Sequence, residues 1–457
     1  MQTEGGPDSD KELLLGSESA ASGTRVYKRR FYVLLLAATV PLLNGWIFVT
    51  WSPIQSPAKL VFGWTDQTIE LMVNWSPIAY VLTIPFFTWL LDTKGLRPAF
   101  VLSALFLALG SGIRCISMQP TAATWLNHVG MIFNGLASPV ALAAPTIVSA
   151  TWFPPEQRTV ATAVTALAQV YGVAIPFAVG PALVPYDNLT ATANKTATIA
   201  RLKTDIFRME LIEFGCCALA LVLICIYFPS KPPVPPSKTA GLERVGFFSG
   251  IRKLLREWHF WLIAVGAGIS LGTSCGWSGV LDVNLKEFDI SQREAGWMGF
   301  YSNIAGSVLG FAVSMIVDRI LGVMKPILCV LLTGGALCFT WFTLLCFKIL
   351  PHSTASLYVS AILGGTLITG SVPLFYELSV ETTYPIAEGA TTGTLALLNN
   401  IGCLFYLLIS LIPGIGTKWM NPTMAATSLV AVILLLLARV KYGRLRVDLD
   451  TNKPIIN

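Results

Sequence analysis

Charge is scarce in this 457-residue chain: Asp, Glu, Lys and Arg together make up 12% of it, about half the roughly 25% of an ordinary soluble domain. That shortage excludes a soluble enzyme. The chain has three histidines, and its nine cysteines show neither metal-ligand spacing nor a disulfide framework. The cysteines therefore read as small apolar core residues, and no metal site is expected. The surplus of basic residues leaves a net charge of +6, but these residues are scattered between apolar runs and form no basic face for nucleic acid. What fills the chain is hydrophobic. Such residues make up 54% of it at a mean hydropathy of +0.66, with nearly charge-free runs at Phe31–Trp46, Val101–Ile113 and Met424–Ala438. Runs of this kind sit in lipid or against other spanning helices. The first 30 residues are polar and the first apolar run is long enough to cross a bilayer, so it is expected to be an uncleaved anchor and not a signal peptide.

Apolar runs bounded by charge, Pro or Asn predict twelve spans, near 31–51, 70–91, 97–117, 125–150, 159–184, 209–228, 259–283, 295–317, 325–347, 354–376, 389–412 and 423–438. The fold class is an all-α integral membrane protein of two six-helix bundles, 31–228 and 259–438. They are joined by a linker at 229–258 and flanked by tails at 1–30 and 439–457. Of the 31 lysines and arginines, 21 fall in the tails, the linker and the loops on the same side, which places both termini in the cytosol. The sequons at Asn188 and Asn194 both lie in loop 185–208, on the opposite, lumenal side, where glycosylation is expected. The linker opens with Pro229-Ser-Lys-Pro-Pro-Val-Pro-Pro236 and carries the basic stretch Arg252–Arg256. It reads as an extended spacer.

Landmarks recur at an offset of about 230 residues. Gly45-Trp46 returns as Gly276-Trp277, and Trp152-Phe-Pro-Pro-Glu156 as Thr383-Tyr-Pro-Ile-Ala-Glu388. The loop Asp92-Thr-Lys-Gly95-Leu-Arg97 returns with slight slippage as Asp318-Arg-Ile-Leu-Gly322-Val-Met-Lys325. Repeated bundles with a cytosolic linker suit a secondary transporter whose solute site lies between the halves, near the midplane. The two loops resemble the signature carried between the second and third spans in the major facilitator superfamily and its copy in the second half. Asp92, Gly95, Arg97, Asp318, Gly322 and Lys325 are accordingly expected to form a gate. A carboxylate at a helix end bridges to a basic residue and to the positive end of a neighbouring helix, and the glycine permits close approach.

A finer resemblance rests on Trp152-Phe-Pro-Pro-Glu-Gln-Arg158-Thr-Val-Ala-Thr-Ala163, Trp51-Ser-Pro-Ile54, Gly276-Trp-Ser-Gly-Val-Leu-Asp282 and Tyr384-Pro-Ile-Ala-Glu388-Gly389. In these the chain resembles the feline leukaemia virus subgroup C receptor-related family of solute carriers, family 49. Leu90-Leu-Asp92, Asn134-Gly-Leu-Ala137, Ser371-Val-Pro373 and Val380-Glu-Thr382 are similar to the lysosomal branch of that family. The resemblance covers essentially all the spans. It implies a lysosomal facilitator that moves pyridoxine, vitamin B6, with protons into the cytosol, needing no cofactor beyond the proton gradient. Better-known relatives move choline and ethanolamine. Asp10, Leu14 and Leu15 in Asp10-Lys-Glu-Leu-Leu14-Leu15 fit an acidic dileucine signal for a clathrin adaptor, in a tail too polar to fold. The lysosomal relative has such a tail too.

An aromatic face with a few amides suits either a small aromatic alcohol or a quaternary amine. Phe48 and Trp51, three residues apart in the first span, and Trp277 in the seventh are the aromatic candidates. By the resemblance, Phe48 stands where choline carriers have a cage tryptophan, and Asn400 where they have a glutamine. Asn399 and Gln169 complete the amide set, and amides are costly in lipid, so they should point inward. Proton coupling needs an ionisable group that titrates, and Asp282, Glu377, Glu381 and His128 border the apolar segments. Two other readings remain open, a carrier of choline or another organic cation and a non-transporting scaffold or receptor. Paired gate loops argue against the scaffold.

Overall fold

The computed structural model describes residues 24–186, 195–242, 244–279, 281, 285, 292–320, 322–351, 353–410, 412 and 415–449, and among these it is helical throughout. Asn188, Asn194, Asp282, Asp10, Leu14 and Leu15 lie outside the described residues. Eleven helices are long and apolar enough to cross a membrane, twelve when Pro120–Ala143 and Pro145–Trp152 are taken as one bent span. The bend there is 41°. Pro145 lacks the N–H that would continue the ladder, so the helix restarts at a new angle.

Three other spans differ from the predicted bounds. Span 1 is a helix over Arg30–Val49, then a tight turn at Ser52–Ile54, then a short helix Gln55–Phe62. Pro53 and Pro57 are apolar enough to pass as loop or lipid-edge residues in sequence, yet at helix starts they cost nothing. Span 6 runs Lys195–Ile226, so most of the loop assigned to 185–208 is helix. Its first four turns carry Arg201, Asp205 and Arg208, paired i to i+3 or i+4, which masks a helix from a hydropathy reading. Span 10 breaks at Ser371 into Thr354–Gly370 and Val372–Thr383.

The other spans are Asp66–Lys94 (span 2), Leu96–Arg114 (3), Arg158–Leu183 (5), Trp258–Gly279 (7), Gln292–Arg319 (8), Met324–Cys346 (9), Glu388–Ser410 (11) and Met420–Leu437 (12). The linker is not a bare spacer. It holds the short helices Lys238–Gly241 and Phe247–Leu254, and the C-terminal tail holds Gly443–Leu449. Each half has its own apolar core.

Spans 1 and 5 pack tightly, as do spans 7 and 11, their counterparts after the repeat. Glycine makes both approaches possible: a Cβ on Gly172 would overlap the Leu42 carbonyl, and one on Gly272 would lie 2.6 Å from the Asn399 carbonyl. Between the halves, span 11 lies on spans 2 and 4, and span 8 lies on span 5. The cysteines are all free, but only Cys217 and Cys403 are buried, so the expectation of nine core cysteines is corrected for the other seven. Helices with a lipid-facing side present small apolar residues outward as readily as inward.

Candidate functional site: a closed gate and a buried amide network

Asp92 ends span 2 in the first half, and its two oxygens accept hydrogen bonds from the backbone N–H groups of Gly389 and Ala390 at 3.0 and 2.9 Å. These are first-turn amides of span 11, in the other half. Asp318 ends span 8 and does the same in reverse, accepting from Thr159 and Val160 of span 5 at 3.0 and 2.8 Å. The repeat seen in sequence is thus a reciprocal clamp. Each carboxylate closes the unsatisfied N-terminal amides of a helix across the interface, where the helix dipole favours an anion.

The expected bridge from each aspartate to its neighbouring basic residue is absent. Arg97 instead donates to the Cys225 carbonyl at 3.2 Å, and Lys325 to the Leu436 and Ala438 carbonyls at 3.2 and 2.9 Å. They bind the C-terminal ends of spans 6 and 12, where a cation is favoured. Gly95 and Gly322, with φ of +84° and +85°, turn the chain between the two roles in a region that disfavours a side chain. The aspartates join the halves, and the basic residues staple each half to itself.

Beneath the clamps lies a layer that the sequence did not announce. Glu377 accepts from Ser149 at 3.1 Å, from Thr162 and from Arg444. Glu381 pairs with Arg444 at 2.9 Å, and its other oxygen accepts from the Leu445 N–H. Both glutamates, expected to carry protons, are therefore held in ion pairs by the tail helix. Asp448 of the same helix binds Arg158 at 2.7 Å, and Arg158 also donates to Ser237 and Thr239 of the linker. Arg244, further along the linker, pairs with Glu388 at 2.6 Å. Burial works against the charge on Arg444, but Glu377, Glu381 and Glu388 more than reverse it and push its pKa up. Arg244 is raised in the same way by Glu388. The face that carries both tails and the linker, here the terminal face, is closed. Among the described residues, the hydrogen bonds joining the two halves lie on this side or at mid-depth, where Tyr80 donates to the Gly393 carbonyl at 3.5 Å.

At mid-depth a polar network crosses spans 1, 4 and 5. Asn44 Nδ2 lies 2.9 Å from Asn134 Oδ1 and 3.1 Å from Ser138 Oγ, and Gln169 Nε2 donates to Asn44 Oδ1 at 3.4 Å. Gln169 Oε1 is buried with no donor. In the second half, Asn399 Oδ1 is likewise buried without a donor, while Asn400 spends its amide on the Ala396 carbonyl one turn back. Asn44 was not picked out in sequence and Asn134 only as part of a family motif, although an Asn within an apolar run is itself the signal.

The tryptophans do not join this network. The helix of span 1 stops at Val49, so Trp51 leaves the face of half-buried Phe48 and packs against Phe62, Trp64 and the Arg114 guanidinium inside the first half. Trp277 donates to Asn421 Oδ1 at 2.9 Å and stacks edge-on to Phe339 and Phe342 inside the second half. Both are core residues. His128 Nδ1 accepts from the Trp75 indole at 3.0 Å, at the end of the molecule away from the tails.

Apolar spans in two repeated halves, clamped reciprocally across one face, have the layout of a membrane transporter. The family description Major Facilitator Superfamily matches residues 33–406. A crystal structure of the major facilitator transporter FucP in the outward conformation superposes with a TM-score of 0.67 at 12% identity, covering 90% of this chain and all of that one. The human organic anion transporter MFSD10 gives 0.64 at 16%, over 90% and 100%. At such identities the likeness shows the fold. The Solute carrier family 49 member 4 homolog of Xenopus tropicalis is 38% identical across 93% of this chain and 94% of its own length. The Choline/ethanolamine transporter flvcr2a of Danio rerio is 28% identical across 87% and 82%. The chain belongs to solute carrier family 49 of the major facilitator superfamily.

Proposed function

We propose that this transporter moves pyridoxine from the lysosome lumen to the cytosol, driven by protons, with the terminal face in the cytosol. The lysine and arginine excess on that face supports the orientation. The observation that carries the solute reading is the pair of orphaned amide oxygens, Gln169 Oε1 and Asn399 Oδ1, on the pseudo-equivalent spans 5 and 11. Buried acceptors without donors are costly unless something donates to them. A ring alcohol with three hydroxyl groups supplies donors toward both halves at once, and half-buried Phe48 offers it a ring face. Choline carries one hydroxyl, and neither Trp51 nor Trp277 is free to cage its cationic head. The choline or ethanolamine reading stands second, favoured by the named activity of relatives at 28% identity.

Replacing Leu14 and Leu15 by Ala redirects the protein to the plasma membrane if the dileucine signal works, which opens the lumenal side to the medium. Radiolabelled pyridoxine uptake should then exceed that of untransfected cells and rise at acid outside pH, and Gln169→Leu should raise the KM. Surface protein that takes up choline but not pyridoxine would replace the first reading by the second.

A further inference from the structure

The proton-coupling candidates legible in sequence are engaged elsewhere or lie outside the described residues, yet a second buried charge cluster sits in the first half toward the end away from the tails. Arg114 closes span 3, and Glu210 and Glu213 lie one turn apart on span 6. Arg114 NH1 is 3.0 Å from Glu213 Oε2, and its Nε is 3.4 Å from Glu210 Oε1 and donates to Asn127 Oδ1 at 2.9 Å. Glu213 Oε1 accepts from Thr50 at 2.8 Å, directly after the first helix of span 1. All five side chains are at most 1% exposed. Glu213 is thus fully engaged. Glu210 is held less closely, by the longer contact with Arg114: neither of its oxygens meets a donor in hydrogen-bond geometry, and Arg114 NH2 is also without an acceptor.

One guanidinium facing two carboxylates leaves an excess negative charge in a site lined by the Trp51 ring, whose centroid is 5.4 Å from the guanidinium carbon. A buried charge without a partner is strongly disfavoured, and a single proton removes it. Among the described residues, Arg114 is the cation that forms an ion pair with Glu210. Cys115, directly after span 3, and Cys216 and Cys217 on span 6 are free thiols. Asp205, more than a turn earlier on span 6, is paired with Arg201 and Arg208. His128, next to Asn127, is turned to Trp75. Lys59, on the short helix Gln55–Phe62 that packs against span 6, is partly exposed and belongs to neither of the Arg114 ion pairs. Span 5, also against span 6, brings no charged side chain to this end.

We propose that Glu210 binds the proton that drives transport, with Arg114 as the counter-charge and Glu213 as the anchored partner that passes its state to span 1. The inference rests on the proton-driven reading of the function. With Glu210 protonated, Arg114 is left to Glu213, and Glu213 holds Thr50 at the end of the helix that carries Phe48 and Asn44. With Glu210 ionised, the two carboxylates compete for one guanidinium and the hold on Thr50 loosens. The step is simple acid–base chemistry, in which a carboxylate oxygen takes a proton from the acidic side and later gives it up.

The test is solute uptake across a range of outside pH in the plasma-membrane form, for wild type, Glu210→Gln and Glu210→Asp, together with proton co-movement read by a pH-sensitive dye in proteoliposomes. Glu210→Gln should show a flat pH profile and lose dye-detected proton movement, and Glu210→Asp should keep acid stimulation with a displaced midpoint. A Glu210→Gln profile that follows wild type overturns the assignment. Should Glu210→Gln fail to reach the surface, an undisplaced midpoint in Glu210→Asp overturns it. A wild-type protein that moves solute with no pH response and no proton movement sinks the proton-driven reading itself, a different result from either.

Discussion

Asp92→Asn is the substitution whose consequence can be worked most closely from the structure. The carboxylate takes two backbone N–H groups of span 11, at 3.0 and 2.9 Å. Hydrogen bonds to a charged group contribute about 1.5–3 kcal/mol each, and an anion at a helix N-terminus adds about 0.3–1 kcal/mol. Asparagine keeps the shape and one acceptor, but it sets an NH2 against the second N–H and removes the charge. A loss of about 2–3 kcal/mol from the state closed at the terminal face is therefore expected, a shift of roughly 30- to 150-fold toward opening. Thr146 is buried beside Thr392 of span 11 and reports on this seam. A Thr146→Cys probe, in a background lacking other reactive thiols, should react with an impermeant maleimide from the terminal side faster by that factor when Asp92→Asn is added. Asp318→Asn should act alike, since its bonds are of the same number and nearly the same length. Unchanged labelling in variants that elute as monodisperse protein would refute the clamp argument.

Three further outcomes follow from other contacts. Arg444→Ala strands Glu377 and Glu381 without their cation, a loss of about 3–5 kcal/mol for a broken buried pair; the same Thr146→Cys probe should label faster, and adding Glu377→Gln with Glu381→Gln should restore slow labelling. Gly172→Ala forces a Cβ into the Leu42 carbonyl and should cost about 1–3 kcal/mol of stability, whereas Gly215→Ala, with nothing within 4 Å, should hold or raise the Tm; equal Tm values would contradict the packing of spans 1 and 5. Trp277→Phe removes the hydrogen bond to Asn421 and should lower stability by about 1 kcal/mol while leaving the pyridoxine KM unchanged; a KM raised several-fold would return Trp277 to the solute site.

Much of this architecture was legible because lipid imposes a blunt signal. Long apolar runs gave the spans, and two copies of an Asp, Gly and basic residue at one offset gave the gate, since only a turn between spans asks for that combination. The partners of the gate were not legible. Asp92 finds amides 297 residues away, and nothing local says that Arg97 will turn to its own half. Trp51 was misplaced because a helix was extended two residues too far, which rotates a side chain to another face. Arg114 fell unremarked inside the predicted span 97–117, and Glu210 and Glu213 fell at the predicted start of a span, so their meeting was invisible. Three charges inside or at the edge of apolar segments were nevertheless a usable signal. The linker and tail read as spacer and tail because Ser237, Thr239, Arg244, Arg444 and Asp448 carry no pattern until the fold sets them under the gate.

The central claim is that the halves rock about a shared middle, so that one face opens as the other shuts. Double electron–electron resonance tests it with two label pairs, Thr93 with Arg319 at the terminal face and Ile116 with Phe347 at the other, all exposed positions at span ends. On adding pyridoxine at acid pH, the first distance should lengthen while the second shortens. Distances that stay fixed, or that lengthen together, would contradict the account.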